Sequence, residues 1–289
     1  MVKPGGDSVV SVTGAWVTLH RVGTDHAGPV DSVRTAGGGR YHFDYRRTGA
    51  TDAIYFVSSS HDGVAYFSHP LQPGIESGDD AEIVVFDTTS GRVPITIRGR
   101  HLIISRTSSD GARTVTEVFE LSNDSSVTKV ARGESASGAV WSSLIPSQAT
   151  NAVVSDGDVP AAAVKFADSR ALVFAPLAPG MKQLAFHYDL PADAFPLHVP
   201  LEHGAVVFEV LTEDSTASVS GARLRAVPPV AIEGRKFRRY LAGDVAPNAV
   251  AIIGVPDVAR PPALLFVASI TLMFGGAMTF ALARALRRR

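Results

Sequence analysis

HLIISRTSSDGARTVTEVFEL, residues 101–121, decides how the rest of the chain is read. Two runs rich in apolar and β-branched residues flank Asp110-Gly111, a dipeptide suited to the positive-φ turn that joins antiparallel strands. The stretch predicts a β-hairpin. Working outward, the same strand-and-turn grammar recurs on both sides. Residues 9–22 are rich in β-branched side chains, with Val10, Val12, Val17 and Leu19 placed on alternate faces around Gly14. Arg40-Tyr41-His42-Phe43-Asp44-Tyr45 alternates aromatic with polar residues, the period-two signature of a half-buried strand, and Gly37-Gly38-Gly39 before it supplies a turn. Residues 53–58, 64–67 and 82–86 continue the pattern. Helical periodicity is confined to a weak candidate at 159–167 (VPAAAVKFA) and to the C-terminal tail. The expected fold class is an all-β ectodomain of two or more β-sandwich domains, followed by one transmembrane α-helix.

The tail supplies the membrane. Residues 263–283 read ALLFVASITLMFGGAMTFALA, without a charge. At 1.5 Å per residue these 21 residues make about 32 Å of helix, close to the hydrocarbon thickness of a bilayer. Pro261 and Pro262 precede the span, and Arg284, Arg287, Arg288 and Arg289 follow it. The positive-inside rule then places the C-terminus in the cytoplasm and the bulk outside. MVKPGGDSVV offers no apolar core of a signal peptide. A leader removed before Met1, a start codon set late, or tail anchoring with the bulk inside would each account for this. Export is favoured, because tail anchoring would carry four arginines across the bilayer.

The expected boundaries are an N-terminal extension over 1–7, a first sandwich over 8–90, a second β-rich sandwich over 91–255, a proline-bearing linker over 256–262, the helix over 263–283 and a basic tail over 284–289. The polar turn Thr88-Thr89-Ser90-Gly91 sets the first boundary. The first unit has the length of a seven-strand sandwich; the second offers ten or more strand-like runs and reads as one large sandwich or two small ones.

Composition excludes several functions. The 289 residues carry 27 basic and 28 acidic side chains, so a strongly basic nucleic-acid binder is excluded. Without the four tail arginines, 23 basic residues face 28 acidic ones, a net charge of about −5 that suits an exported domain. Cysteine is absent, which removes disulfides, thiolate metal sites and thiol catalysis.

Residues 14–43 carry Gly14, Val17-Thr18-Leu19, Gly28-Pro29-Val30, Ser32, Thr35 and Gly39-x-Tyr41-x-Phe43. This stretch resembles the carboxypeptidase regulatory-like (transthyretin-like) sandwich: a first strand, a variable loop, then a Gly-x-Tyr-x-Phe strand. It departs at the family's Asp-x-x-Gly turn, which here is Ala36-Gly37-Gly38-Gly39. The resemblance covers about the first quarter of the chain and implies a packing or adhesion module with no catalytic residues to carry over. The whole layout is similar to membrane proteins of Gemmatimonadota bacteria. That likeness implies a role like the extrinsic polypeptides that brace a photosynthetic reaction centre inside its light-harvesting rings.

Chemistry-bearing clusters are few. His187 with Asp189, and His198 with Glu202 and His203, are the closest metal-type groups, but His198 and His203 straddle Pro200 at a spacing that suits neither a helix face nor one side of a strand. Asp156-Gly157-Asp158 and residues 76–80 (ESGDD) are acidic loops without the spacing of a calcium-binding hand. Asn123-Asp124-Ser125 fits a glycosylation sequon and reads better as a turn. No nucleophile elbow, zinc-protease helix or phosphate loop is present in the sequence. Neither a catalytic residue, a metal nor a cofactor is expected. Arg235, Lys236, Arg238 and Arg239, flanking Phe237 and Tyr240, read as an exposed strand edge that contacts lipid headgroups or an acidic partner, together with the tail arginines. Thr271, Gly275, Thr279 and Ala283 recur every four residues, a small-residue row for packing against another membrane helix.

The expected function is a non-catalytic scaffold subunit that braces a multisubunit membrane complex, with integral membrane subunits and membrane lipids as partners. The rival is a tethered module for carbohydrate, peptide or cell-wall ligands, with Tyr66, Phe67 and Trp141 as its aromatic face.

Overall fold

The computed structural model describes residues 1–5, 8–71, 78–109 and 111–255. The expected linker, membrane helix with Thr271, Gly275, Thr279 and Ala283, and tail with Arg284, Arg287, Arg288 and Arg289 lie outside the described residues. Among the described residues no helix is long and apolar enough to cross a membrane. Their helical content is limited to short 3-10 turns, so the body is all-β as expected.

The N-terminal body holds β1 (Val2–Gly5), β2 (Ser8–Ser11), β3 (Trp16–Val22), β4 (Ala27–Arg34), β5 (Ile54–His61) and β6 (Val64–Phe67). β1 and β2 form a hairpin; the other four make an antiparallel sheet in the order β4-β3-β5-β6. Residues 1–5 of the expected extension are therefore tied into the body, and residues 6 and 7 lie outside the described residues. Val2 also bridges Val84, and the Met1 side chain is buried in the core with Leu19, Tyr55 and Val57. Where the length suited a seven-strand sandwich, the described residues of this body hold six strands in two sheets. Residues 40–45 account for the shortfall. Tyr41, Phe43 and Tyr45 do pack against the core, but among the described residues the segment joins no ladder. Alternation reports which side is buried; it does not report a hydrogen-bonding partner. Residues 82–86 behave alike, with Val84 making one isolated bridge. The 9–22 run breaks at Gly14, whose φ of 76° is a conformation that favours glycine.

Next come β7 (Thr88–Thr89), β8 (Ile95–Ile104), β9 (Arg113–Asn123), β10 (Thr128–Lys129), β11 (Trp141–Leu144), β12 (Thr150–Val154), β13 (Val164–Ala167), β14 (Arg170–Val173) and β15 (Gly180–Leu190). The chain ends its described course with β16 (Leu197–Leu201), β17 (Ala205–Thr212), β18 (Ser218–Gly221), β19 (Arg225–Ile232), β20 (Arg235–Val245) and β21 (Ala249–Gly254). The hairpin expected at Asp110-Gly111 is β8–β9, antiparallel from Ile104↔Val115 outward. Its tip is wider than a two-residue turn, because Ser108 N–H bonds the Ala112 carbonyl and Ser105 N–H the Thr114 carbonyl. Residues 159–167 are not an α-helix. A short turn at Ala161–Ala163 runs straight into β13, whose ladder with β14 outcompetes a three-alanine preference.

β12-β15-β9-β8-β17-β20-β19 form one seven-stranded sheet, in which β17 and β8 run parallel and every other pair is antiparallel. Two three-stranded sheets, β11-β14-β13 and β16-β21-β18, pack on one of its faces. A single core joins the three sheets, so the larger body is one sandwich with a divided second layer. At its centre Phe119 meets Trp141 edge-on at 5.0 Å and stacks on Phe186 at 5.8 Å. Truncating so enclosed a ring costs about 3–5 kcal/mol. The two cores part between Val85 and Ile97. The junction is tied by the parallel β7–β10 pair and by the Tyr66 hydroxyl, 2.7 Å from Thr128 Oγ1.

Candidate functional site

Strand parity gives the four-stranded sheet two unlike faces. Val17, Leu19, Tyr55, Val57 and Tyr66 point into the core, so Trp16, Thr18, His20, Val22, Ile54, Phe56, Ser58 and Phe67 are left on the other side. That outer side exposes large apolar side chains among the polar Thr18, His20 and Ser58. Trp16 is 56% exposed, Phe67 59%, Ile54 49% and Val22 44%. The patch is continuous across strands: Val22 pairs with Ile54, His20 stacks on Phe56 at 5.1 Å, and Phe56 meets Phe67 at 5.8 Å. His20 Nε2 lies 2.8 Å from Ser58 Oγ, and the Arg34 guanidinium sits 4.7 Å over the Trp16 ring. Of the expected aromatic face, only Phe67 belongs here. Tyr66 and Trp141 are buried core residues, because they occupy inward parity on β6 and β11.

The basic cluster lies elsewhere and is not on an edge. β20 is flanked by β17 and β19 on its two sides, so the edge reading is corrected. A strand of eleven residues beside acidic neighbours spends its arginines on them. Arg235 pairs with Glu213 and Arg239 with Glu209, while Arg238 Nη1 donates to the carbonyls of Ser215 at 2.8 Å and Ala217 at 3.2 Å. Among the described residues Lys236 makes no ion pair of its own. The hydrogen bond from Arg235, joined by one from the Arg106 N–H, holds the Glu213 carboxyl down at about 2. Burial pushes the Glu209 carboxyl up, but the Arg239 and His101 contacts together outweigh it and leave it lowered. His101 Nδ1 is 2.6 Å from Glu209 Oε2.

The histidine groups do not converge on a metal. His187 Nδ1 is 3.3 Å from Ser155 Oγ, whereas Asp189 accepts bonds from Thr114 and Asn151. Glu202 is held by Arg170 at 2.9 Å, and His203 Nε2 lies 3.0 Å from the Ser142 carbonyl. Asp158 accepts the Gln183 N–H at 2.8 Å and so closes a loop. In the acidic stretch 76–80, Gly78–Ala81 is a 3-10 turn, and Glu76 and Ser77 fall outside the described residues. Asn123 is 3% exposed and its amide donates to the Val127 and Leu177 carbonyls, so it serves a turn and is closed to glycosylation. Sequence reasoning missed His61, Asp62 and Asp87, whose ligand-type atoms lie within 4.8 Å of one another. Asp87 already accepts the Lys3 ammonium at 2.9 Å, and the group reads as an ion cluster that fixes β1.

A second missed group lies inside the larger sandwich. Arg100 is 3% exposed and Glu117 1%, their side chains joined at 2.7 Å on the inward face of β8 and β9. The Tyr188 hydroxyl donates to Glu117 Oε1 at 2.8 Å, and burial drives its pKa well up, so the phenol keeps its proton. The signal was readable. Val115, Glu117, Phe119 and Leu121 share one parity, as do Arg100, Leu102 and Ile104, so a charge stands in each of these apolar stretches.

No protein-family model matches this chain, and no curated protein matches it.

Proposed function

We propose that this chain is a non-catalytic scaffold subunit: a periplasmic β body, held by one membrane helix, that braces integral membrane subunits of a larger complex. A photosynthetic reaction centre with its light-harvesting rings is the assembly that the sequence resemblance suggests. The observation that carries the reading is the exposed apolar face formed by Trp16, Val22, Ile54 and Phe67 on the N-terminal sheet. Continuous apolar patches of this kind mark protein contacts. Burying the exposed half of each of those side chains supplies roughly 1 kcal/mol apiece, about 4 kcal/mol together. Alone that is a millimolar contact. Tethering by a membrane helix makes it intramolecular at high effective concentration, where it suffices. The polar groups of the larger body support the same reading, since Arg235, Arg238 and Arg239 of β20, with His187 and His203, are engaged by internal partners.

The test is purification of the full chain from native membranes in mild detergent, beside an Ile54→Glu/Phe67→Glu variant. Both sites are on the outer face, so folding is spared. Expected is stoichiometric co-purification of integral membrane subunits with the parent chain and their loss with the variant. A monomeric parent that is retained by immobilised glycan or peptidoglycan overturns the proposal in favour of a binding module.

A further inference from the structure

The divided second layer of the larger sandwich opens a cavity of about 260 Å³ above the buried ion pair. One wall is the end of β11 and the two residues that follow it, Leu144 to Pro146, which the Ile145 N–H bond to the Ser169 carbonyl holds at 2.9 Å. The other wall is β16, with Val199 buried and His198 exposed at the rim. The floor is Arg100, Glu117 and Tyr188. A side chain from each small sheet and a charged floor from the large one therefore meet around a single space.

We propose that this cavity is a binding site for a compact, uncharged molecule with an apolar body and one carbonyl or amide head. The head is specified by the floor. Arg100 donates three hydrogen bonds, from Nε and Nη2 to Glu117 Oε2 and from Nη1 to the Pro200 carbonyl. A guanidinium so engaged still has one N–H on each terminal nitrogen, and a phenol that donates still has a lone pair to accept with. A carbonyl oxygen takes the first and an amide N–H offers to the second. The charge is specified as well. Arg100 and Glu117 neutralise each other, so a ligand carboxylate would lose its hydration beside a carboxylate and an ammonium beside a guanidinium. Leu144, Ile145, Pro146 and Val199 supply the apolar walls. At about 30 Å³ for each water-sized group, the cavity takes roughly nine non-hydrogen atoms, one ring with an amide. An ion pair shut into an apolar core contributes little net stability, so it is a poor structural choice, and a polar anchor for a ligand gives it a use.

Benzamide is the probe, titrated into the full chain in detergent by calorimetry and by saturation-transfer NMR, with benzoate, benzylamine and toluene as comparators. Leu144→Trp fills the cavity from a half-buried wall position, and its thermal unfolding is measured alongside. Expected is saturable benzamide binding by the parent chain, at least tenfold tighter than any comparator, and at least tenfold weaker binding by Leu144→Trp with its melting temperature kept. Tyr188→Phe removes one of the two polar anchors and is expected to weaken benzamide several-fold while leaving toluene unchanged. Equal affinity for benzamide and toluene, no saturation at solubility, or undiminished binding by a folded Leu144→Trp would each overturn the assignment. Should Leu144→Trp unfold, the Tyr188→Phe contrast between benzamide and toluene decides the matter alone.

Discussion

Replacing Arg100 by methionine removes one member of an ion pair whose side chains are only 3% and 1% exposed. Glu117 would keep the Tyr188 hydroxyl on Oε1 and lose both bonds to Oε2. An uncompensated buried charge of this kind costs about 3–5 kcal/mol. The guanidinium also lies 5.0 Å over Phe119 and 5.9 Å over Phe208, contacts that methionine restores in part. In a body of this size each kcal/mol moves Tm by roughly 2–4 °C, so the expected drop is about 6–20 °C. The triple change Arg100→Met/Glu117→Leu/Tyr188→Phe removes all the charge and orphans only the Pro200 carbonyl, at a cost of about 1–3 kcal/mol. It should therefore melt above the single mutant. Urea and thermal unfolding followed by tryptophan fluorescence provide the assay. The chain has two tryptophans, and in a Trp16→Phe background the signal is that of Trp141, buried against Phe119 in the larger core. A loss below about 1 kcal/mol for Arg100→Met, or a triple mutant no more stable than the single, would refute the reasoning.

Glu213 links the larger body to acid. Its carboxyl falls from the ordinary 4.5 to about 2 on folding, so it contributes stability above pH 4.5 that is lost as the pH falls toward 2. Discounted because Arg235 is half exposed, the contribution is about 1–2 kcal/mol, and Glu213→Gln should flatten that part of a pH–stability curve measured by urea unfolding. Gly221 has φ of 78°, and a Cβ there would strike the Val250 carbonyl; Gly221→Ala should cost about 2 kcal/mol by chemical denaturation, whereas Gly111→Ala, with open space around it, should cost less. If the proposed membrane helix packs through its small residues, Gly275→Leu should loosen co-purification with membrane partners without changing the melting of the β body. Unchanged co-purification would refute that part of the proposal.

Much of the fold was legible because strand parity is a local property. The hairpin around Gly111, β6 at Val64–Phe67 and the burial rhythm of 40–45 all follow from alternation. What parity cannot say is who lies beside whom. Tyr41, Phe43 and Tyr45 are spaced as a strand and gain no ladder among the described residues, and the β20 arginines look free until β17 brings Glu209 alongside and the turn after it brings Glu213. Such acidic partners come from a segment more than twenty residues away. The candidate surface was half legible for the same reason. Tyr66 and Phe67 are neighbours on β6 and so must face opposite sides, which already forbids a common face; which of the two points outward, and where Trp141 lies, needs the packed sheets. Arg100 and Glu117 are the opposite case, charges at inward positions whose rows could be read by counting in twos.

The parallel contact of β8 with β17 has a consequence for biosynthesis. Residues 95–104 leave the ribosome, β9 follows and folds back on them, and their other margin then waits for residues 205–212 to be made. At about 5–20 residues per second that interval is roughly 5–20 s. Throughout it the nascent chain presents an open, apolar strand margin, ready to seize any extended peptide nearby. The N-terminal body has no such delay, since its sheet is complete once residue 67 is out. Translocation or a holding chaperone that keeps the later segment unpaired would therefore protect the large sandwich specifically, and the nascent chain should be most prone to aggregate when stalled between its two halves.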